Sequence, residues 1–328
     1  MALTAAERPT LPSRPPARRI RPGRRSRPAA RTSALVTARR RMFWPMVGPA
    51  LALYLTFVVG PTGYALWLSF RKDSGFGPSQ YVGTKNYVRL FRDPAFRTAL
   101  TNTTEMLFVV GAATFVLAFA LTMVLREMRG RKFVRNVLFF PNVVNGIVFG
   151  IMAGFLFNAD GLVNSLLTTV FGVDDPPKWM DSDNMMAMVM ATMIWISTGY
   201  YTTIIMAGVD RIPNDLYEDC ALAGANAWQR LRHVTIPLTW DVFAVCAMLW
   251  TISTVQIFQL ILVFGGNSGQ SLPSVRLWSV AVYTYSSAFG NGVPEYGMAC
   301  ASAITSLAMV TVVVLLLRRI LDRERLEF

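Results

Sequence analysis

Six polar or aromatic side chains lie inside long uncharged runs of this sequence. They are Asn142, Asn145, Trp195, Tyr200, Gln256 and Gln259. Such groups are costly within an apolar span and tend to face a bundle interior or a cavity. Amides pair with hydroxyl groups through hydrogen bonds, and aromatic rings pack on C–H faces, so this set suits a neutral polyol. The same amides can instead hydrogen-bond across helix interfaces, at about 0.6 kcal/mol each, and this alternative stays open.

Residue types that support catalysis or metal binding are sparse. The 328 residues include one histidine, His233, and three scattered cysteines, which fit neither a disulfide framework nor a Cys-x-x-Cys metal site. An intramembrane enzyme would need a nucleophile and a base on facing spans, and one histidine does not supply them. No Gly-x-x-x-x-Gly-Lys-Ser/Thr motif occurs, so we expect no binding of ATP phosphates. We therefore predict no catalytic residue, no metal site and no cofactor in this chain.

The elements that must position these side chains are membrane spans. The chain is 53% hydrophobic and 16% charged, with a mean hydropathy of +0.39, whereas soluble domains carry about 25% charge. A span needs about 20 apolar residues and must be helical. We predict an all-α polytopic membrane protein with six transmembrane helices, and two shorter runs at 161–171 and 277–289 that lie at the interface or re-enter. The predicted spans are 45–70, 104–126, 136–158, 185–210, 241–264 and 296–318.

The distribution of Lys and Arg predicts the orientation. With both termini inside, the inner segments hold 24 of these residues and the outer segments 8, as the positive-inside rule requires. Residues 1–42 hold twelve arginines and one acid, which accounts for +11 of the net charge of +13. We predict a disordered Arg/Pro-rich cytoplasmic tail at 1–42, a membrane domain at 43–320 and a cytoplasmic tail at 321–328. An organellar transit peptide and a nucleic-acid-binding arm are weaker alternatives for the first tail.

The loop between the fourth and fifth spans, residues 211–237, has helix signals of its own. Asp215 and Glu218 have the spacing of a capping box, which predicts the start of a short helix. Gly224 supplies the left-handed residue that ends it. One apolar face of that helix would carry Leu216, Cys220 and Ala223.

A second short helix is predicted directly after this turn. Asn226 and Gln229 repeat the capping pattern ahead of Trp228. Two helices joined by a turn form an elbow that projects from the membrane. It either docks on a cytosolic partner or packs against its own chain, and the spacing alone leaves both open.

The stretch 217–225, followed by Pro237, resembles the EAA loop of bacterial ABC-importer permeases. Asp219 and Cys220 stand where the family motif has two alanines. Segments 61–70, 81–91, 140–141, 161–167, 288–289 and 297–302 resemble carbohydrate permeases of the maltose and glycerol-3-phosphate type, in the family's order. The residues that the resemblance assigns to coupling with the ATPase are Glu218, Asp219, Ala221, Gly224, Ala225 and Pro237.

The resemblance implies the type I ABC-importer permease fold in a bacterial inner membrane. It implies import of a mono- or oligosaccharide, or of a glycerol-3-phosphate-like solute. The implied partners are a second permease subunit in a heterodimer, a cytosolic ATPase dimer that binds the ATP, an extracytoplasmic binding protein and membrane lipid, with no nucleic acid. The alternative is a secondary carrier or channel that acts alone on a neutral polar solute, although the halves of the sequence show no convincing inverted repeat.

Overall fold

The computed structural model describes residues 29–181, 183–265, 272–290 and 292–321. Two compact units divide the chain, residues 1–60 and 61–328. The described residues are helical almost throughout, apart from one two-stranded antiparallel sheet in which Arg71 pairs with Tyr81 and Lys72 with Gln80.

In the first unit, α1 runs from Ala29 to Tyr54 and is followed by a π turn, Leu55–Val59. Residues 29–42 were expected to be disordered, and the structure corrects this because α1 already includes them. Alanine is the strongest helix former, and Pro28 is the last proline before this segment. Residues 1–28 of the predicted tail, like residues 322–328 of the predicted C-terminal tail, lie outside the described residues.

Apart from Gly60, the first residue of α2, the remaining elements belong to the second unit, in which long helices alternate with short connecting ones. They are α2 Gly60–Ser69, β1 Arg71–Lys72, β2 Gln80–Tyr81, α3 Lys85–Arg92, α4 Pro94–Glu105, a π turn Met106–Val110, α5 Gly111–Glu127, α6 Arg131–Val143, α7 Gly146–Leu156, α8 Leu162–Phe171, α9 Met185–Val209, α10 Asn214–Leu222, α11 Ala227–Arg230, a π turn Leu231–Thr235, α12 Ile236–Leu238, α13 Trp240–Val255, α14 Gln259–Gly265, a 3₁₀ turn Val275–Leu277, α15 Val280–Phe289 and α16 Tyr296–Leu321.

Four described helical stretches are long and apolar enough to cross a membrane, and two bent helix pairs raise the number to six. The four are Met42–Ser69, Pro94–Arg126, Met185–Val209 and Tyr296–Leu321. The bent pairs join α6 to α7 at 97° and the helical stretch Ala227–Leu238 to α13 at 69°. The two shorter apolar runs form α8 and α15, each of ten residues, which is too short to span.

The third predicted span, 136–158, is therefore not one straight helix. Pro141 lacks the N–H of a continuous helix, and Val144 and Asn145 are extended. The Asn145 side chain then accepts a hydrogen bond from the backbone N–H of Ile147 at 2.9 Å and caps α7. Asn142 and Asn145 both fall within this predicted span, but they do not lie on one helix because the chain bends between them.

The fifth predicted span, 241–264, is also interrupted. Helix α13 ends at Val255, and α14 begins at Gln259. The break leaves the carbonyl of Ile257 free, and the Ser279 hydroxyl donates to it at 2.8 Å. Ser253, Gln256 and Gln259 consequently do not follow one another along a single helix.

The main hydrophobic core lies where α5, α9 and α13 meet. Met106, Phe149, Tyr201 and Trp250 are buried there. The indole N–H of Trp250 donates to the carbonyl of Leu107, within the π turn, at 2.8 Å. This hydrogen bond ties the fifth span to the second.

A second hydrophobic cluster packs α3 and α4 against α15 and α16. Leu90, Phe96, Tyr283 and Met298 are buried in it. The Tyr283 hydroxyl donates to Asp93 at 2.7 Å. Burial raises the pKa of the Tyr283 phenol above its ordinary value, and the hydrogen bond to Asp93 acts in the same direction. The loop after the first span is thereby anchored to the last.

Candidate coupling elbow and polar cavity

The elbow begins with α10, and its start differs from the prediction. Pro213 precedes the helix with φ −56° and ψ 137°, and no side chain caps the helix. The predicted capping box of Asp215 and Glu218 is therefore wrong. The helix begins at Asn214, two residues too early for Asp215 to be its N-cap. Asp215 therefore lies in the first turn, where the positive end of the helix dipole favours a carboxylate.

The turn after α10 follows the prediction at Gly224. This residue has φ +75°, a left-handed conformation that favours glycine. The N–H of Ala225 donates to the carbonyl of Cys220 at 2.9 Å, and the N–H of Gly224 donates to that of Ala221 at 3.0 Å. These bonds satisfy carbonyls that a helix end leaves open.

The second capping pattern is confirmed. The Asn226 side chain accepts from the backbone N–H of Gln229, and the Gln229 side chain accepts from that of Asn226, both at 2.8 Å. A helical stretch then continues from Ala227 through a π turn to Leu238, where the chain bends into α13. Pro237 lies exposed at the start of α12, where a proline without an N–H is tolerated.

The inward face of α10 centres on Tyr217, which the sequence reading missed. Its hydroxyl lies 3.0 Å from the hydroxyl of Thr235, and the guanidinium of Arg126 lies 3.3 Å from its ring centroid. Leu216 and Cys220 are half-buried, whereas Ala223, expected on this face, is exposed. The signals available in the sequence were a tyrosine within the predicted helix and an arginine at the end of the second span.

The outward face of α10 combines acidic and apolar side chains. Glu218, Asp219 and Ala221 are exposed, and Leu222 is 88% exposed. Ala225 is half-buried in the turn that follows. This face can contact a partner through one large apolar side chain with carboxylates beside it.

A cavity of about 330 Å³ lies at the breaks of the third and fifth spans. Of the six side chains predicted to meet a ligand, Gln256 and Gln259 line it, and Asn145 is adjacent to its lining residue Gly146. The sequence reading missed Trp250 and Ser197 as lining residues. Their polarity was visible in the sequence, but the convergence of α7, α9, α13 and α14 at the cavity was not.

The other predicted side chains lie apart from this cavity. Asn142 is exposed on α6. Trp195 is 53% exposed and meets the ring of Phe149 edge-on at 5.5 Å. Tyr200 is half-buried and stacks on Phe139 with ring centroids 6.2 Å apart.

The chemistry of the cavity is that of uncharged hydrogen-bonding groups. Amides of Gln256 and Gln259 and hydroxyls of Ser197, Ser253 and Thr254 share its wall with apolar side chains, and no charged residue is among those that line it. In the part of the chain that the structure describes, no three His, Cys, Asp or Glu side chains cluster as a metal site would require. The cavity can accept a neutral polar solute.

Comparison with known proteins places this geometry in a family. The sequence model of the binding-protein-dependent transport system inner membrane component matches residues 114–326. The trehalose/maltose transport system permease protein MalF of Thermococcus litoralis is 28% identical over 285 residues, which cover 85% of this chain and 93% of that protein. The probable ABC transporter permease protein YurN of Bacillus subtilis is 30% identical over 270 residues, covering 80% and 90%.

The same architecture occurs in a solved structure. The crystal structure of a bacterial ABC transporter involved in the import of the acidic polysaccharide alginate contains a chain with a TM-score of 0.73 and 20% identity. The match covers 88% of this chain and 98% of that one, and it establishes the ABC importer permease fold. With the family model matched over well over half of its length, the chain belongs to the inner-membrane components of binding-protein-dependent transport systems, as a transport subunit rather than an enzyme.

Proposed function

We propose that this permease imports a neutral mono- or oligosaccharide through the cavity at the two span breaks. The observation that carries the substrate class is the uncharged lining, in which the amides of Gln256 and Gln259 offer paired donors and acceptors to sugar hydroxyls. Relatives named for trehalose and maltose, lactose and diacetylchitobiose support the class. A glycerol-3-phosphate-like anion fits this lining less well, because no cation faces it.

The elbow is the proposed contact with an ATPase. Glu218, Asp219 and Ala221 would meet a cleft of that subunit, while Gly224, Ala225 and Pro237 fix how the two elbow helices turn. Closure of an ATPase dimer on ATP would push the elbow. Motion would reach the spans through Tyr217, which contacts both Arg126 and Thr235.

The remaining assembly follows the family's description. We infer a second permease subunit, an ATPase dimer that binds ATP, and an extracytoplasmic binding protein that delivers the sugar. Both termini would be cytoplasmic, because the inner segments then hold three times as many Lys and Arg as the outer ones. Asn142, Asn145, Trp195 and Tyr200 stay candidates for the pathway outside the cavity.

Uptake of a panel of labelled neutral and anionic sugars by a deletion strain that carries the whole importer tests the substrate class. Gln256→Ala and Gln259→Ala should change the apparent affinity for a transported sugar, whereas Gln80→Ala, the same change on an exposed strand residue, should leave it unchanged. Preference for an anionic solute would contradict the proposal. So would unchanged affinity with lowered stability of the complex, because that result identifies the amides as helix–helix contacts.

A further inference from the structure

An apolar cavity of about 580 Å³ lies at the base of the elbow, against α5 and the start of α13. Its wall is almost wholly carbon and includes four aromatic side chains from the two spans. The lining residues include Phe115, Phe119, Met123, Trp228, Trp240 and Phe243. From Phe115 to Met123 the cavity follows α5 for eight residues, which is about 12 Å at 1.5 Å per residue.

A second cavity of about 370 Å³ continues the first one and has a different lining. Both cavities are lined by Met123, Trp228 and Leu231. The second is also lined by Arg126 and Arg230, and no carboxylate is among its lining residues. We name the two joined cavities the elbow groove.

The charges of the elbow groove lack acidic partners within the described residues. Across the described residues, the salt bridges join Arg89 to Glu295, Arg131 to Asp210 and Arg276 to Asp183. Neither Arg126 nor Arg230 takes part in one of them.

Their remaining contacts supply no salt bridge to either guanidinium within the described residues. The Arg126 guanidinium lies over the ring of Tyr217. The Nε of Arg230 has no hydrogen-bond partner among the described residues. Half-buried guanidinium groups of this kind attract an anion.

We propose that the elbow groove binds one anionic phospholipid. An acyl chain would lie along α5, and the phosphate would lie against Arg126 and Arg230. The groove runs from the apolar part of the second span to its final residue, Arg126, which is the order of apolar chain and charged head in a bilayer leaflet. Basic pockets between helices at this depth bind anionic head groups, and tryptophans such as Trp228 are typical of the interface.

Other occupants fit the elbow groove less well. A free inorganic anion would use the arginines and leave about 580 Å³ of apolar space uncovered. A zwitterionic lipid carries an ammonium group beside its phosphate. It would therefore compensate the positive charges of Arg126 and Arg230 less than an anionic lipid would. This site is distinct from the sugar cavity and does not depend on which solute is transported.

The test uses the complete importer in phosphatidylcholine nanodiscs with a photoactivatable phosphatidylglycerol that carries the reactive group on its acyl chain. Arg230→Gln should weaken labelling about fivefold, since a cation near an anionic lipid contributes about that factor. The control is Arg232→Gln, which removes the same charge two residues further along the chain. The Arg232 side chain is exposed and lines neither cavity. Labelled peptides should come from α5 and the segment 227–243.

A second pair of variants tests the apolar part without touching a charge. Ala120→Phe fills the elbow groove and should abolish labelling, whereas Ala112→Phe, at an exposed position of α5 outside the groove, should leave it unchanged. Equal labelling by a phosphatidylcholine probe overturns the proposal. So does competition by inorganic phosphate, or cross-linking of the groove to a helix of the second permease subunit. Because no outcome depends on sugar uptake, failure here leaves the proposed function standing.

Discussion

Gly224 offers a way to perturb the elbow without changing any packing. A Cβ added there would meet nothing within 4 Å, so a substitution acts only through the backbone conformation. At φ +75° a β-branched residue is disfavoured by about 1–2 kcal/mol relative to glycine. Gly224→Val should therefore shift the equilibrium of the turn about 5- to 30-fold away from its native conformation.

The expected result is loss of coupling with retention of the subunit in the membrane. The outward face of α10 would no longer keep its direction relative to the helix that leads into α13. In proteoliposomes that hold the whole importer, Gly224→Val should lower sugar uptake per ATP hydrolysed, together with the stimulation of hydrolysis by the binding protein. Gly224→Asn should retain most of both, because asparagine tolerates the left-handed conformation.

The chain contains a matched control at Gly172. This glycine follows α8, has φ +66°, and a Cβ there would also meet nothing within 4 Å. Gly172→Val thus adds similar strain at a turn outside the elbow, and it should leave coupling unchanged. The reasoning is refuted if uptake and stimulated hydrolysis survive in Gly224→Val, or if Gly172→Val lowers the coupling ratio to the same extent.

Three further substitutions test other contacts of the fold. Tyr217→Phe removes the hydrogen bond to Thr235 and keeps the ring, so it should destabilise the elbow by about 1 kcal/mol and speed amide exchange in α10; unchanged exchange would contradict this. Gly199→Ala places a methyl group against a backbone carbonyl of α6 and should lower the thermal stability of the purified importer by about 1–3 kcal/mol, whereas Gly154→Ala, in open space, should not. Asn145→Ala removes the cap of α7 at a cost of about 1 kcal/mol, and the same thermal unfolding measures it.

The parts of the elbow that follow from sequence are those set by neighbouring residues. Asn226 and Gln229 exchange their hydrogen bonds within one turn, and the left-handed conformation of Gly224 depends on its own backbone. Tyr217 is different, because its partners are Thr235 and Arg126, far away in the chain. A spacing rule identifies which face of a helix is apolar. The position of Tyr217 at the centre of the inward face follows instead from its tertiary contacts.

The membrane spans were predicted from the lengths of uncharged apolar runs. The length of a run does not show whether its helix is bent. The run 136–158 is uncharged and apolar enough for one straight span, yet Pro141 and the cap at Asn145 divide it into α6 and α7. A hydropathy pattern also does not show where two helices pack closely. Gly199 lies against the backbone carbonyl of Leu138, where a Cβ atom would clash. The need for glycine at this position follows from the packing of α9 against α6.

The breaks and the polar cavity have a common physical cause. In lipid, a non-helical backbone is tolerated only where it is buried in protein or lines a cavity, because its free N–H and C=O groups need partners. The breaks at Asn145 and Gln256 meet this condition at one cavity, which both Gly146 and Gln259 line. The residues best suited to bind a sugar are then those at the ends of interrupted helices, rather than those that recur every three or four positions along a continuous one. The sequence singled out Gln256 and Gln259 as polar side chains within an uncharged run, but it could not predict how the structure brings them to one cavity.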